Sequence, residues 1–178
     1  HADSSAIRYG PSRAALEDRG DAVYVRFEAG SEEAMRHVVG ADGVHSRVRE
    51  LVFGPEDQFA RFLGLYVAAF HVPSLGFAIG REVKLYEETD RAAFLYPLSA
   101  QWLDATCAFR HQETRVPHAQ RIDFLRSIYL GNGWIMPQVI DAYTGDEPLY
   151  FDSATQIVMP QWHKGRVALV GDACGCLT

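Results

Sequence analysis

Two stretches of this chain combine residue types that could hold a polar, anionic ligand. In the first, Val38-Val39-Gly40-Ala41-Asp42-Gly43-Val44-His45-Ser46-Arg47-Val48-Arg49, two β-branched residues lead into glycines, a carboxylate, a hydroxyl and two guanidinium groups. The pattern predicts a covered strand, a glycine turn and a helix start. Gly40 and Gly43 permit close backbone approach or positive φ. Ser46 can accept from N–H groups freed at the helix start. Fixed donors beside Arg47 and Arg49 are chemistry suited to a pyrophosphate. In the second stretch, Gly165-Arg166-Val167-Ala168-Leu169-Val170-Gly171-Asp172-Ala173, a short β-branched-rich strand runs into a glycine and a carboxylate. Asp172 in that place can accept hydrogen bonds from sugar hydroxyls, and Gly171 allows the approach. Plainer alternatives stand beside these: Asp42 bonding its own turn, Asp172 capping a following helix, Arg47 pairing along its helix or standing solvated.

Gly40 to Arg49 resembles the Asp-Gly motif of the FAD-dependent aromatic hydroxylases, the class A flavoprotein monooxygenases with the p-hydroxybenzoate-hydroxylase fold. Gly165 to Ala173 resembles the Gly-Asp motif of the same family. In this order, around a strand-rich middle, the two extend the resemblance over nearly the whole chain. It implies an α+β fold, in which a large, mostly antiparallel substrate-domain sheet with flanking helices accompanies remnants of a Rossmann-like FAD-binding domain. The implied segments are 1–54 with the first motif, 55–160 as the substrate-binding sheet and 161–178 returning with the second motif. The resemblance implies FAD as cofactor, with Asp172 on the ribityl chain and Gly171 and Ala173 beside it. It places Asp42 and Gly43 in contact with both FAD and NAD(P)H, and has Arg49 help to place the nucleotides. The implied activity is hydroxylation of an aromatic or polyketide-like small molecule. NAD(P)H reduces the flavin, O2 forms a C4a-hydroperoxide, and that species delivers one oxygen. The sheet from Phe62 to Arg110 would roof the substrate, with Phe94 and Tyr96 as candidate substrate contacts. Halogenases, epoxidases and prenyl-chain reductases share the fold and are the enzymatic alternatives. A non-catalytic sheet domain that binds an apolar ligand or a partner is the other.

The sequence departs from the family pattern in two places. No G-x-G-x-x-G follows a first strand, although that turn holds the ADP phosphates in the family. Gly175 stands where the second motif usually carries a His. The chain therefore reads as a fragment, expected to hold FAD only weakly and to be inactive by itself.

Composition narrows the remaining classes. A net charge of −6 over 178 residues argues against a nucleic-acid surface. No run is apolar for long enough to cross a bilayer and no signal peptide is visible. A cytoplasmic protein is expected, and a homodimer is compatible. Cys107, Cys174 and Cys176 do not make a disulfide framework, so reduced thiols are expected. The Cys174-x-Cys176 pair reads as small residues filling a tight loop, with no metal site. His37, His71, His111, His118 and His163 are scattered, with neither i, i+4 spacing nor a carboxylate partner in view. Ser46 does not sit in a G-x-S-x-G elbow. Gly133 to Pro137 faintly resembles the Trp-rich signature of flavin halogenases, but the second Trp is missing, and Trp134 is expected to pack in a core.

The elements that must position these residues follow from periodicity. Ala6–Tyr9 predicts a short strand, and Arg13–Arg19 a hairpin with Val23–Glu28 across Gly20-Asp21. Val23, Val25 and Phe27 alternate with Tyr24, Arg26 and Glu28, the mark of a strand with one covered face. Met35–Val39 is expected to return as the single strand feeding the first motif. Arg47–Val52 predicts a short helix ended by Gly54-Pro55. Phe62–Val72 predicts a long strand, followed by a hairpin of Glu82–Glu88 with Arg91–Leu98 and by a strand over Trp102–Arg110. Phe77, Tyr86, Phe94, Tyr96 and Trp102 fall in or near this sheet, and a core role is expected for most of them. Ile122, Leu125, Ile128 and Tyr129 predict a helix from Pro117 to Leu130. Trp134–Ala142 reads as a second helix interrupted by Pro137, Leu149–Met159 as a strand, Pro160–Gly165 as a turn and Arg166–Val170 as a strand.

Overall fold

The computed structural model describes residues 13–74, 76, 80–112, 115–131 and 134–176. The expected strand over Ala6–Tyr9, and Phe77, lie outside the described residues. The architecture is α+β, and the chain divides into two compact units, His1–Arg61 with Thr155–Thr178, and Phe62–Ala154.

The first unit opens with an antiparallel meander of β1 (Arg13–Asp18), β2 (Val23–Phe27) and β3 (Glu32–Met35). Val23 and Val25 are buried, as their period of two requires. The run expected as one strand over Met35–Val39 is instead two. β3 ends at Met35, and after Arg36-His37 the chain enters β4 (Val38–Gly40), which belongs to a different sheet. Helix α1 (Arg47–Val52) and a 3-10 turn over Glu56–Gln58 follow.

The second unit is built on β5 (Ala60–Pro73), β6 (Lys84–Glu88), β7 (Arg91–Pro97), β8 (Trp102–Arg110), α2 (Arg121–Tyr129), α3 (Met136–Asp141) and β9 (Tyr150–Ile157). The strands form one sheet in the order β6-β7-β8-β5-β9, with β6-β7-β8-β5 antiparallel throughout. Along β8 every second residue, Leu103, Ala105, Cys107 and Phe109, is buried. These pack with Ala93, Leu95, Phe70 and Val72 against Leu125, Tyr129, Met136 and Ile140 of the two helices. Burying each large side chain in this layer contributes about 1.5–3 kcal/mol. Tyr129 is fully buried, and its hydroxyl donates to the Ala92 carbonyl at 2.7 Å. Burial also pushes the Cys107 thiol up to about 12, so it is inert at neutral pH.

Two expectations about the helices shift. Pro117 precedes a 3-10 turn over His118–Gln120, and α2 itself starts at Arg121. Pro137 lies in the first turn of α3, where a missing N–H costs nothing, so it starts that helix and does not interrupt it.

The chain then returns to the first unit with β10 (His163–Lys164) and β11 (Val167–Leu169). β11 pairs antiparallel with β10 and parallel with β4, in the register Val167↔Val38, Ala168↔Val39 and Leu169↔Gly40. Buried Val23, Val25, Val48, Val167, Leu169, Ala173 and Cys174 form the core of this unit.

A polar clamp locks β11 to the meander. Asp18 accepts from the backbone N–H of Arg166 at 2.7 Å and from that of Gly20 at 2.9 Å, while the Arg166 Nε–H donates to the Gly20 carbonyl at 2.8 Å. The two backbone donors hold the Asp18 carboxyl below its ordinary range. Ionised Asp18 therefore favours the folded state above the unfolded-chain value of about 4, and that contribution is lost as pH falls through the depressed folded value. Thermal unfolding across pH should show Asp18→Asn less stable than the wild type at neutral pH. The difference should close on acidification.

Candidate functional site

The two glycine–aspartate corners grow from neighbouring strands. Because β4 and β11 run parallel with Leu169 opposite Gly40, residues 41–43 and 170–172 leave the same end of one strand pair. The Val170 N–H donates to the Gly40 carbonyl at 2.9 Å and extends the pairing into the second corner. The carboxyl end of parallel strands is where open α/β sheets take ligands.

Gly40 and Gly43 divide the work of the first corner. A Cβ on Gly40 would lie 2.7 Å from Leu169 Cδ2 and 2.8 Å from Val48 Cβ, so glycine is what lets β4 lie against both β11 and α1. Gly43 has φ of +79°, and a Cβ there would meet nothing within 4 Å, which is a conformational requirement and not a packing one.

Asp42 sits in the turn and is occupied there. Its Oδ1 accepts from the Ser46 hydroxyl at 2.6 Å and its Oδ2 from the Val48 N–H at 3.1 Å. Ser46 in turn accepts from the Arg49 N–H at 3.0 Å as the N-cap of α1. The Val48 and Arg49 N–H donors at the start of α1 are thus satisfied within the turn. Arg47, exposed, pairs with Glu50 one turn along the helix.

Arg49 is fully buried. Its Nη1 donates to the Ala173 carbonyl at 3.2 Å, and its Nη2 to the Val44 carbonyl and to Glu56 Oε2, the latter at 2.7 Å. It is a strut that ties the first corner to the second. Glu56 also meets His45, with Nδ1 2.9 Å from Oε1. Ala173 contributes a buried methyl to the core and a carbonyl to Arg49.

Asp172 is different. It is exposed, no side chain caps the 3-10 turn Gly171–Ala173 that contains it, and it makes no hydrogen bond among the described residues. Gly171 beside it has φ of +59° and open space where a side chain would project. The Gly171 carbonyl accepts from the N–H groups of Cys174 and Gly175, both at 3.1 Å, which fixes the turn. The corner thus offers an unpaired carboxylate and a clear glycine surface, a fit for a polyhydroxylated chain passing close to the backbone. A cavity of about 560 Å³ in this unit lies at the other end of β11, lined by Asp18, Leu51, Lys164, Gly165 and Val167, and not at the corners.

In the second unit, Phe94 and Tyr96 lie on the sheet face turned away from the helices, their rings stacked at 6.3 Å and 22°. Tyr86 lies on the opposite face and stacks on Trp134 at 5.5 Å, so Trp134 is a packing residue. Beside Tyr96 stands a pair that the sequence does not disclose. His71 Nε2 is 3.4 Å from Asp104 Oδ2, and Asp104 Oδ1 accepts from the Thr106 hydroxyl at 2.9 Å. The expectation that none of His37, His71, His111, His118 and His163 has a carboxylate partner fails for His71. The β5–β8 register joins this pair, which residue spacing does not encode. No cluster of three His, Cys, Asp or Glu able to hold a metal occurs among the described residues. Among them, too, no helix is long and apolar enough to cross a membrane.

No family model matches the chain. An uncharacterized protein of Mycobacterium tuberculosis (strain ATCC 25618 / H37Rv) is 37% identical over 165 residues, covering 90% of this chain and 44% of the relative. A flavin-dependent monooxygenase from an unknown prokaryotic organism is 30% identical over 172 residues, covering 89% of this chain and 42% of the relative. Among solved structures, the tetracycline destructase Tet(51) matches with a TM-score of 0.79 at 31% identity, over 93% of this chain and 45% of that one. More distant structures, one of them complexed with FAD and uric acid, share the fold. The chain spans less than half the length of the curated relatives it matches.

Proposed function

We infer that this chain belongs to the FAD-dependent monooxygenase family and that it supplies the central part of an enzyme that inserts one oxygen atom from O2 into an aromatic or polyketide-like small molecule. NAD(P)H is the reductant in this reading. The observation that carries it is the parallel β4–β11 pair, which sends both glycine–aspartate corners from one strand end and leaves Asp172 exposed and unpaired among the described residues.

Asp172 would accept hydrogen bonds from the ribityl hydroxyls of FAD, with the open backbone at Gly171 and Gly43 letting the cofactor lie close. Bound FAD supplies the electron transfer and oxygen activation that no side chain here provides. Asp42, Ser46 and Arg49 hold the corners in place, since their polar groups are already engaged with the protein. Ala173 carries the turn on its buried methyl. The name of Tet(51), a tetracycline destructase, supports a multi-ring substrate, and the free cysteines fit a reducing compartment.

Flavin titration of the 178-residue chain tests the assignment, followed by flavin fluorescence. Its glycines include no G-x-G-x-x-G turn, so binding should be weak. Asp172→Ala should weaken it further by roughly tenfold, the cost of losing charge-assisted hydrogen bonds from hydroxyls. Equal binding by wild type and Asp172→Ala would remove Asp172 from the flavin site.

A further inference from the structure

We propose that the open face of the second unit's sheet recognises a neutral ring ligand through a hydroxyl donor, with His71 and Asp104 as its specificity-determining pair. This rests on the reading above that the sheet belongs to a substrate-binding domain. It goes further in saying which substrates are admitted.

The strand register composes the surface. Leu85, Phe94, Thr106 and Ala69 form one rung across β6, β7, β8 and β5, and Tyr96, Asp104 and His71 form the next. A third rung, Glu87, Ala92, Ala108 and Val67, lies on the other side of the first. The alanines keep the centre low, and the stacked Phe94 and Tyr96 rings wall one side. A flat ring can therefore lie on the face without displacing a side chain.

Asp104 is the unusual residue in this setting. Its side chain is 20% exposed on a mainly apolar surface, a costly place for a carboxylate. Thr106 satisfies one oxygen. His71, with its side chain 46% exposed, reaches the other only at 3.4 Å, long for a hydrogen bond, so both partners keep capacity for a ligand. With Nε2 turned to the carboxylate, the proton belongs on Nε2, and Nδ1 is left as an acceptor. The pair therefore presents acceptors, and a ligand hydroxyl is the complementary group.

The charges on the rungs exclude the opposite class. Asp104 and Glu87 are acidic, and His71 is already turned to Asp104. Arg110 lies six residues along β8 from Asp104, about 20 Å away, and is 3.5 Å from Asp90. Arg81 stands in the loop that lines a cavity with Pro97 and Leu98, beyond the end of β7. A carboxylate placed on the ring beside Asp104 would be repelled by it.

The test uses three probes of one ring size, naphthol, naphthoate and methoxynaphthalene. Each is titrated into the 178-residue chain at neutral pH, with the His71 imidazole resonances as reporter. Naphthol should bind roughly tenfold more tightly than naphthoate. It should also bind severalfold more tightly than methoxynaphthalene, which lacks the donor. Asp104→Asn should bring naphthoate to within about twofold of naphthol, because the repulsion is gone while the shape remains. Naphthoate binding as well as naphthol to the wild type, or naphthol not binding at all, would overturn the proposal. So would a preference unchanged in Asp104→Asn. The wild-type comparison decides alone should that variant fail to fold. The Asp172 flavin titration shares none of these readouts, so either reading can fall without the other.

Discussion

Arg49→Met should cost the first unit roughly 3 kcal/mol, the low end of the penalty for breaking a buried ion pair. Arg49 is fully buried and its guanidinium serves three acceptors: the Ala173 carbonyl, the Val44 carbonyl and Glu56. Methionine fills much of the same volume, so the loss measures the hydrogen bonds more than a cavity. Both carbonyls would be left without this donor, at about 1–3 kcal/mol for each that water cannot reach. The Glu56 side chain, 37% exposed, can rehydrate and keeps His45 nearby, which holds the total below the upper limit. Arg49→Lys should recover only part, because an ammonium cannot reproduce the planar fork. Adding Glu56→Gln to Arg49→Met should cost less than the two single losses summed, since they share one contact. Urea unfolding of the wild type and the four variants supplies all these values. A loss under about 1 kcal/mol for Arg49→Met would mean that the strut does not join the corners.

How much of this the sequence discloses depends on the range of the interaction. Local periodicity is enough for β2, where Val23 and Val25 alternate with polar neighbours, for the β6–β7 hairpin, and for the helix carrying Leu125 and Tyr129. It fails where a strand changes sheets. Met35 and Val38 look continuous, yet β3 pairs with β2 and β4 with β11, and only the distant strand explains the break. The motif residues show the same limit. Their identities point to one site, but the side chains divide by partner. Asp42 turns inward to Ser46 and Val48, Arg49 crosses 124 positions to Ala173, and Asp172 stands exposed with no hydrogen bond among the described residues. Residue type does not choose among these fates, because each carboxylate or guanidinium can serve a turn or a ligand equally well. His71 and Asp104 are invisible for a related reason. They face each other only in the β5–β8 register, and a slip of one residue would put them on opposite faces.

Gly40 and Gly43 look interchangeable in the sequence, and substitution should separate them in opposite orders. At Gly40 the obstacle is atoms. A methyl would press on Leu169 Cδ2 and on Val48 Cβ, the second anchored to the backbone of α1 and unable to swing aside. Gly40→Ala should therefore destabilise by roughly 1–3 kcal/mol, and Gly40→Asn by more, since each added atom enters the same occupied space. At Gly43 the obstacle is the backbone, with φ of +79° and no neighbour within 4 Å. Alanine there should cost about 1–2 kcal/mol, while asparagine, which tolerates the left-handed region, should cost less. Asparagine is thus the worse replacement at one glycine and the better at the other. Thermal unfolding of the four variants gives the two orders directly. The flavin reading depends on the same contrast. Loss at Gly40 spreads the strand pair from which both corners spring, whereas Gly43→Asn keeps the pair closed and fills only the open surface beside it. Gly43→Asn should accordingly leave stability nearly intact and weaken flavin binding by severalfold, from steric loss of close backbone approach. Unchanged flavin affinity in a stable Gly43→Asn protein would place the cofactor away from this corner.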